Sequence, residues 1–144
     1  MQGREGKIKH ILFKNKQIFT FFCRAKDEYS LHSPLVFDFY TKAIRKRKDT
    51  LEQAVLRYFS PKCKTDFFIA EDELSGQISK ALQGDEDRVI FVKNIRKTKN
   101  NLALWHKIKS IRGIVFVSID FYSSGLIIKN RNLKKKQDYI LKSK

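Results

Sequence analysis

The hydrophobic positions change their spacing once along the chain. Residues 7–26, KIKHILFKNKQIFTFFCRAK, place Ile8, Ile11, Leu12, Ile18, Phe19 and Phe22 near a 3.6-residue period, which predicts a basic amphipathic helix. The stripe serves a core-facing helix, with a membrane-surface helix as the alternative. A second helix is predicted from Ser33-Pro34. Serine accepts a hydrogen bond from a free backbone N–H, proline suits the first helical position, and Val36, Phe39, Tyr40, Ala43 and Ile44 supply the apolar face. RKRK (45–48) ends it with cations, which suits the helix dipole. Asp49 with Glu52 forms an acidic capping signature for a third helix through Phe59, broken by SPKCK (60–64).

After residue 64 the apolar runs become short. TDFFIA (65–70) and RVIFV (88–92) predict buried strands. Helices follow each, carrying Leu74, Ile78, Ala81 and Leu82 in one and Leu104, Trp105 and Ile108 in the other, with Gly84 and Gly113 as stops. IVFVSIDFYSSGLIIK (114–129) predicts two antiparallel strands about a Ser-Ser-Gly turn. The order predicts an α/β fold: N-terminal helices, then a small four-stranded mixed sheet closed by a C-terminal antiparallel hairpin. Leu82, Ile90, Trp105, Ile108 and Val115 are expected in its core. One domain is expected over 1–144, divided into a helical part (1–60), an α/β part (61–130) and a basic tail (131–144).

Composition narrows the function. The 144-residue chain is 42% hydrophobic with 12 Phe, which excludes a disordered chain. Its formal net charge of +16 favours an anionic partner, nucleic acid or an acidic surface, without naming one. Cys23 and Cys63 form no disulfide framework or metal pattern, as in a reducing cytoplasm. MQGREGKIKH lacks a signal-peptide core, and no apolar run reaches the ~18 residues of a membrane span. The expectation is a cytoplasmic protein.

Catalytic chemistry finds little support. His32 stands beside a serine and proline that capping already explains, and no carboxylate lies at close spacing to it. His10 and His106 lie in separate helical contexts. Glu71, Asp72 and Glu73 are expected as a first-turn acidic cap rather than a cation site. There is no phosphate-binding glycine loop and no Ser/His/Asp arrangement. VIFVKNI is faintly similar to an RNA-binding strand, but the paired aromatic motif is missing.

RAKDEYSLHSPLVFDFYTKAI (24–44) resembles the N-terminal region of a Bacteroidetes-type family of class I S-adenosylmethionine (SAM)-dependent methyltransferases, with its HSPFVFDFYTKVI-like segment. RVIFVKNIRKTKNNLALWHKIKS (88–110) is similar to that family's penultimate strand and helix, where Asp-Asn-Ile-His-Trp-Ser precedes a helix with a central Trp, here Trp105. VSIDFYSSGLIIK (117–129) is similar to its closing hairpin, matching at Ile119, Asp120 and Gly125. The blocks cover about half of the chain, at both ends. The resemblance implies a Rossmann-like sheet whose closing strand lies antiparallel between the two before it.

The middle departs from that family. Its seven-stranded sheet carries a glycine-rich turn after the first strand, where backbone meets the methionine part of SAM. If residues 66–69 are that strand, the turn reads Ala-Glu-Asp-Glu-Leu-Ser-Gly (70–76), with only Gly76 left and three carboxylates facing SAM's own. If they are instead the fourth strand, the first three are absent. Lys93, Arg96 and Lys97 stand where the family has Asp, His and Trp, and a protonated lysine cannot hold a divalent cation. The expectation is a shortened methyltransferase-like protein without catalytic, cofactor-binding or metal-binding residues. A SAM-dependent enzyme with an atypical or shared site, and a basic nucleic-acid-binding module, are the alternatives.

Overall fold

The computed structural model describes residues 33–143. The predicted helix of 7–26, His10, Cys23 and His32 lie outside them. Helix α1 spans Pro34–Phe39 and continues into a π-helical turn, Tyr40–Ile44. Ser33 caps it as expected, its Oγ accepting from the Val36 amide at 3.4 Å. Helix α2 spans Leu51–Phe59, but its cap is Thr50 rather than Asp49. The Thr50 hydroxyl accepts from the Gln53 amide and the Gln53 side chain accepts from the Thr50 amide, each at 3.2 Å, closing a reciprocal capping box. Asp49 instead binds Arg57 at 2.6 Å.

Strands β1 (Lys64–Ile69), β2 (Arg88–Lys93), β3 (Val117–Asp120), β4 (Ser124–Lys129) and β5 (Gln137–Ile140) form one mixed sheet in the order β1-β2-β4-β3-β5. Helix α3 (Leu74–Leu82) joins β1 to β2, and α4 (Lys99–Lys109) joins β2 to β3. β1 and β2 run parallel, as do β3 and β5. β4 is antiparallel to both β2 and β3 and lies between them.

The alternation along β2 explains the layers. Val89 and Phe91 face α1, the π-helical turn and α2, in a core shared with Phe39, Ile44, Val55 and Phe59. Ile90 and Val92 face α3 and α4, in a core shared with Leu74, Ile78, Trp105 and Ile108. A strand covered on both faces must be apolar at every position, so RVIFV reads as a continuous run rather than an alternating one.

Three expectations are corrected. The sheet has a fifth strand, because residues 137–140 of the basic tail pair with β3 and bury Tyr139, with Leu141 just beyond. Val115 is exposed, because β3 begins only at Val117 and residues 114–116 are a connection in which Phe116 is buried and Ile114 packs partly against the core while Val115 turns out. The hairpin bends at Phe121, Tyr122 and Ser123, not at Ser-Ser-Gly. Tyr122 takes a left-handed backbone there (φ 76°), and Gly125 is already within β4. Leu82, Ile90, Trp105 and Ile108 are buried as expected. No helix among the described residues is long and apolar enough to cross a membrane.

Candidate functional site at the carboxyl edge of the sheet

In open α/β sheets ligands bind beyond the carboxyl ends of the parallel strands. Here that edge brings together the segment after β1 (residues 70–73), the loop after β2 (94–98) and the hairpin after β3 (121–123).

After β1, Ala70 is buried and its amide donates to the Lys93 carbonyl at 2.9 Å, extending the pairing with β2 by one bond. Glu71, Asp72 and Glu73 follow, all exposed. They are not a first-turn cap: α3 begins at Leu74, its first turn holds no acid, and Glu73 precedes it in a left-handed conformation (φ 71°) with no side-chain cap bond. Gly76 lies inside α3, where a Cβ would meet nothing within 4 Å, so this glycine makes no close approach. Nor do these acids gather into a metal-binding group: no cluster of three or more His, Cys, Asp or Glu occurs among the described residues.

After β2, the chain turns at Asn94, left-handed at φ 63°, and its carbonyl accepts from the Asn101 side chain at 3.0 Å. Thr98 caps α4. Lys93 pairs with Glu52 of α2 at 2.7 Å, and Lys97 is exposed. Arg96 turns inward. Its two terminal nitrogens donate to the two oxygens of Asp120, each at 2.6 Å, and Nη1 also donates to the Tyr122 carbonyl at 2.8 Å. The Tyr122 amide closes the ring by donating to Asp120 Oδ1 at 2.8 Å. The Arg96 side chain is 9% exposed and that of Asp120 2%. The guanidinium lies 5.1 Å from the centre of the Tyr122 ring. Burial raises the Tyr122 phenol above its usual pKa, and the neighbouring Arg96 opposes that shift.

Arg96, where the sequence departs from the resembling family, and Asp120, where it matches, stand in two separate blocks, and the fold makes them partners. It does the same for Trp105 and Gly125. The six-membered ring of Trp105 covers Gly125 so closely that a Cβ there would lie 2.3 Å from Cη2. The tryptophan is what requires a glycine at this position. The Trp105 indole N–H is buried with no hydrogen-bond partner among the described residues.

Chemically, the buried part of the edge is held by its own hydrogen bonds. Both Asp120 oxygens accept charged hydrogen bonds from Arg96, Oδ1 also accepts from the Tyr122 amide, and the side chain is only 2% exposed, so the carboxylate serves as the counter-charge of Arg96. His106 lies on an exposed turn of α4. What desolvation it has, then the charges of Lys109 and Arg96, lowers its pKa below the usual imidazole value. Cys63 is half-buried, its thiol pKa raised by burial and then by Asp87. The other edge holds a cavity of about 390 Å³ lined by Leu82, Asp85, Asp87, Gly113, Lys129 and Arg131. There Lys129 donates to the Leu82 carbonyl at 2.7 Å, the Arg131 amide donates to Asp87 at 2.9 Å, and Asp85 is exposed.

Sequence reasoning missed the Arg96–Asp120 pair. Its signal was an acid at the end of a predicted buried strand, VSID (117–120), where a carboxylate requires a counter-charge. No protein-family model matches the chain, and searches of curated proteins and of solved structures returned no match.

Proposed function

We propose that this chain is a shortened class I SAM-dependent methyltransferase-like protein that does not transfer methyl groups. The observation that carries the reading is the place of β4, antiparallel between β2 and β3, which is the arrangement the resemblance implies for the closing strand. The Trp105–Gly125 and Arg96–Asp120 contacts support it, since each joins two of the resembling blocks. β1 lies directly beside β2 and ends the sheet, which favours taking it as the fourth strand, with the first three absent.

The absence of methyl transfer follows from the same edge. SAM's carboxylate needs backbone N–H donors and its adenosine needs a crevice between strand ends. With β1 as the fourth strand, the first strand and the glycine-rich turn that would meet SAM's carboxylate have no counterpart among the described residues, and the segment after β1 adds only exposed Glu71, Asp72 and Glu73 at that edge. Titration calorimetry with SAM and with its demethylated product tests this. The expected result is no binding tighter than about 1 mM, where the binding free energy is only ~4 kcal/mol. A micromolar Kd for either compound refutes it and restores the enzyme reading.

A second reading, a basic module that binds nucleic acid, is favoured by one contact. Arg47 Nε donates to the Ser143 carbonyl at 2.9 Å, tying the 45–48 loop to the end of the chain. Exposed Arg45, Lys46 and Lys48 thereby share a region with exposed Lys142. Binding of a labelled mixed-sequence oligonucleotide, followed at 50 and 200 mM salt, tests it. Four phosphate contacts would lose about a hundredfold in affinity over that range. No binding at the lower salt overturns this reading.

A further inference from the structure

Among the described residues β1 and β5 are the two edges of the sheet, and β1 is the longer. β5 is four residues long, and its Asp138 accepts from Ser118 at 2.6 Å and lies 3.4 Å from Lys109. β1 is six residues long, runs in unbroken register with β2, and contains no proline or bulge. The Ala70 amide points to β2, so by the alternation of a strand Thr65, Phe67 and Ile69 turn their amides and carbonyls outward. Their side chains share the α2 face with Phe91, whose ring lies 5.7 Å from that of Phe67. Ile69 is 57% exposed there and Leu56 of α2 45%. A six-residue edge without proline or bulge, flanked by apolar side chains, is a template for another strand.

Charge selects which strand. The amino end of β1 carries exposed Lys62 and Lys64, and the carboxyl end is followed by exposed Glu71, Asp72 and Glu73, which make no ion pair among the described residues. A second β1 laid antiparallel sets lysines against acids at both ends, and one laid parallel sets like charges together. We propose that β1 pairs antiparallel with β1 of a second copy of this chain, across a two-fold axis at Phe67. Phe67 then faces its own copy, and Thr65 faces the partner's Ile69. These are the residues whose backbone groups already point outward, so each facing pair exchanges two hydrogen bonds. In the same register Lys62 faces the partner's Asp72. The proposal rests on β1 alone and stands whether or not the methyltransferase ancestry does.

Sedimentation velocity of the full chain from micromolar to hundred-micromolar concentration tests it. The expected species at the upper end has twice the 17.0 kDa mass of one chain. Phe67→Lys with Ile69→Lys should remove it, with circular dichroism confirming that the variant is folded. Two exposed charge reversals decide the matter even if that variant does not fold. Lys62→Glu with Lys64→Glu, and Glu71→Lys with Asp72→Lys, should each raise the dimer dissociation constant at least tenfold. An equimolar mixture of the two should form a heterodimer. A monomer at every concentration overturns the proposal, as does a dimer that survives the Phe67 and Ile69 changes or a mixture that stays monomeric.

Discussion

Two ion pairs start three residues apart, one at the last residue of β2 and one in the loop that follows, and differ in almost every respect. Lys93 reaches Glu52 of α2 with one nitrogen, and each side chain is more than one-third exposed. Arg96 reaches Asp120 with two nitrogens, and the pair is sealed beneath the hairpin and bonded to its backbone. Distance does not separate them, at 2.7 and 2.6 Å. Burial does. Water screens the first pair, so holding two mobile side chains together gains little. The second has no water to fall back on: either member alone would be an uncompensated buried charge. A planar, two-pronged cation is also suited to hold both oxygens of a carboxylate.

The contrast can be broken at its strong end first. Asp120→Ala should lower unfolding stability by about 3–5 kcal/mol, the usual penalty for leaving one buried charge without its partner. A loss under about 1 kcal/mol in urea denaturation would show that Arg96 escapes to solvent when freed. Replacing both partners, Arg96→Met with Asp120→Leu, should recover most of that loss, because an apolar pair of similar volume leaves no charge behind. Next comes a neutral local bond for scale: Ser33→Ala should cost ~1 kcal/mol by removing the α1 cap. An unchanged melting temperature would refute the capping role of Ser33. The smallest effect belongs to Glu52→Gln, at ~0.5 kcal/mol or less in low salt and nothing measurable in high salt. A large salt-independent loss there would erase the distinction between the two pairs.

What could be foreseen divides along similar lines. Local rules carried far: Ser33-Pro34 announced a helix start, the apolar runs at 65–70 and 88–92 announced buried strands, and Trp105 and Ile108 fell on the buried face of α4. The cap of α2 was misplaced by one residue, because Asp49 and Thr50 are both good caps and only tertiary contact with Arg57 removes Asp49. β5 was invisible because NRNLKKKQDYILKSK shows as apolar only an isolated Leu133 and the short run Tyr139, Ile140 and Leu141, and its pairing depends on an open flank of β3 that no local pattern records. The candidate site was legible in pieces. Arg96 and Asp120 were each singled out, but their union depends on β4 threading between β2 and β3, and the 24 residues separating them carry no periodic signal of contact. Glu71, Asp72 and Glu73 were expected on a first helical turn and instead precede it, because the left-handed turn at Glu73 delays the helix to Leu74.

The fit of Trp105 over Gly125 also bears on how this sequence can change. With the indole in place, any side chain at 125 meets ring atoms at 2.3–2.7 Å. With the glycine in place, shrinking Trp105 leaves a cavity that costs ~3–5 kcal/mol. Each position thus blocks the first step at the other, and the effects are non-additive because the two occupy one volume. Ala at 125 should be poorly tolerated beside Trp105 and well tolerated beside leucine there, so the route to a different pair runs through double changes or through a destabilised intermediate.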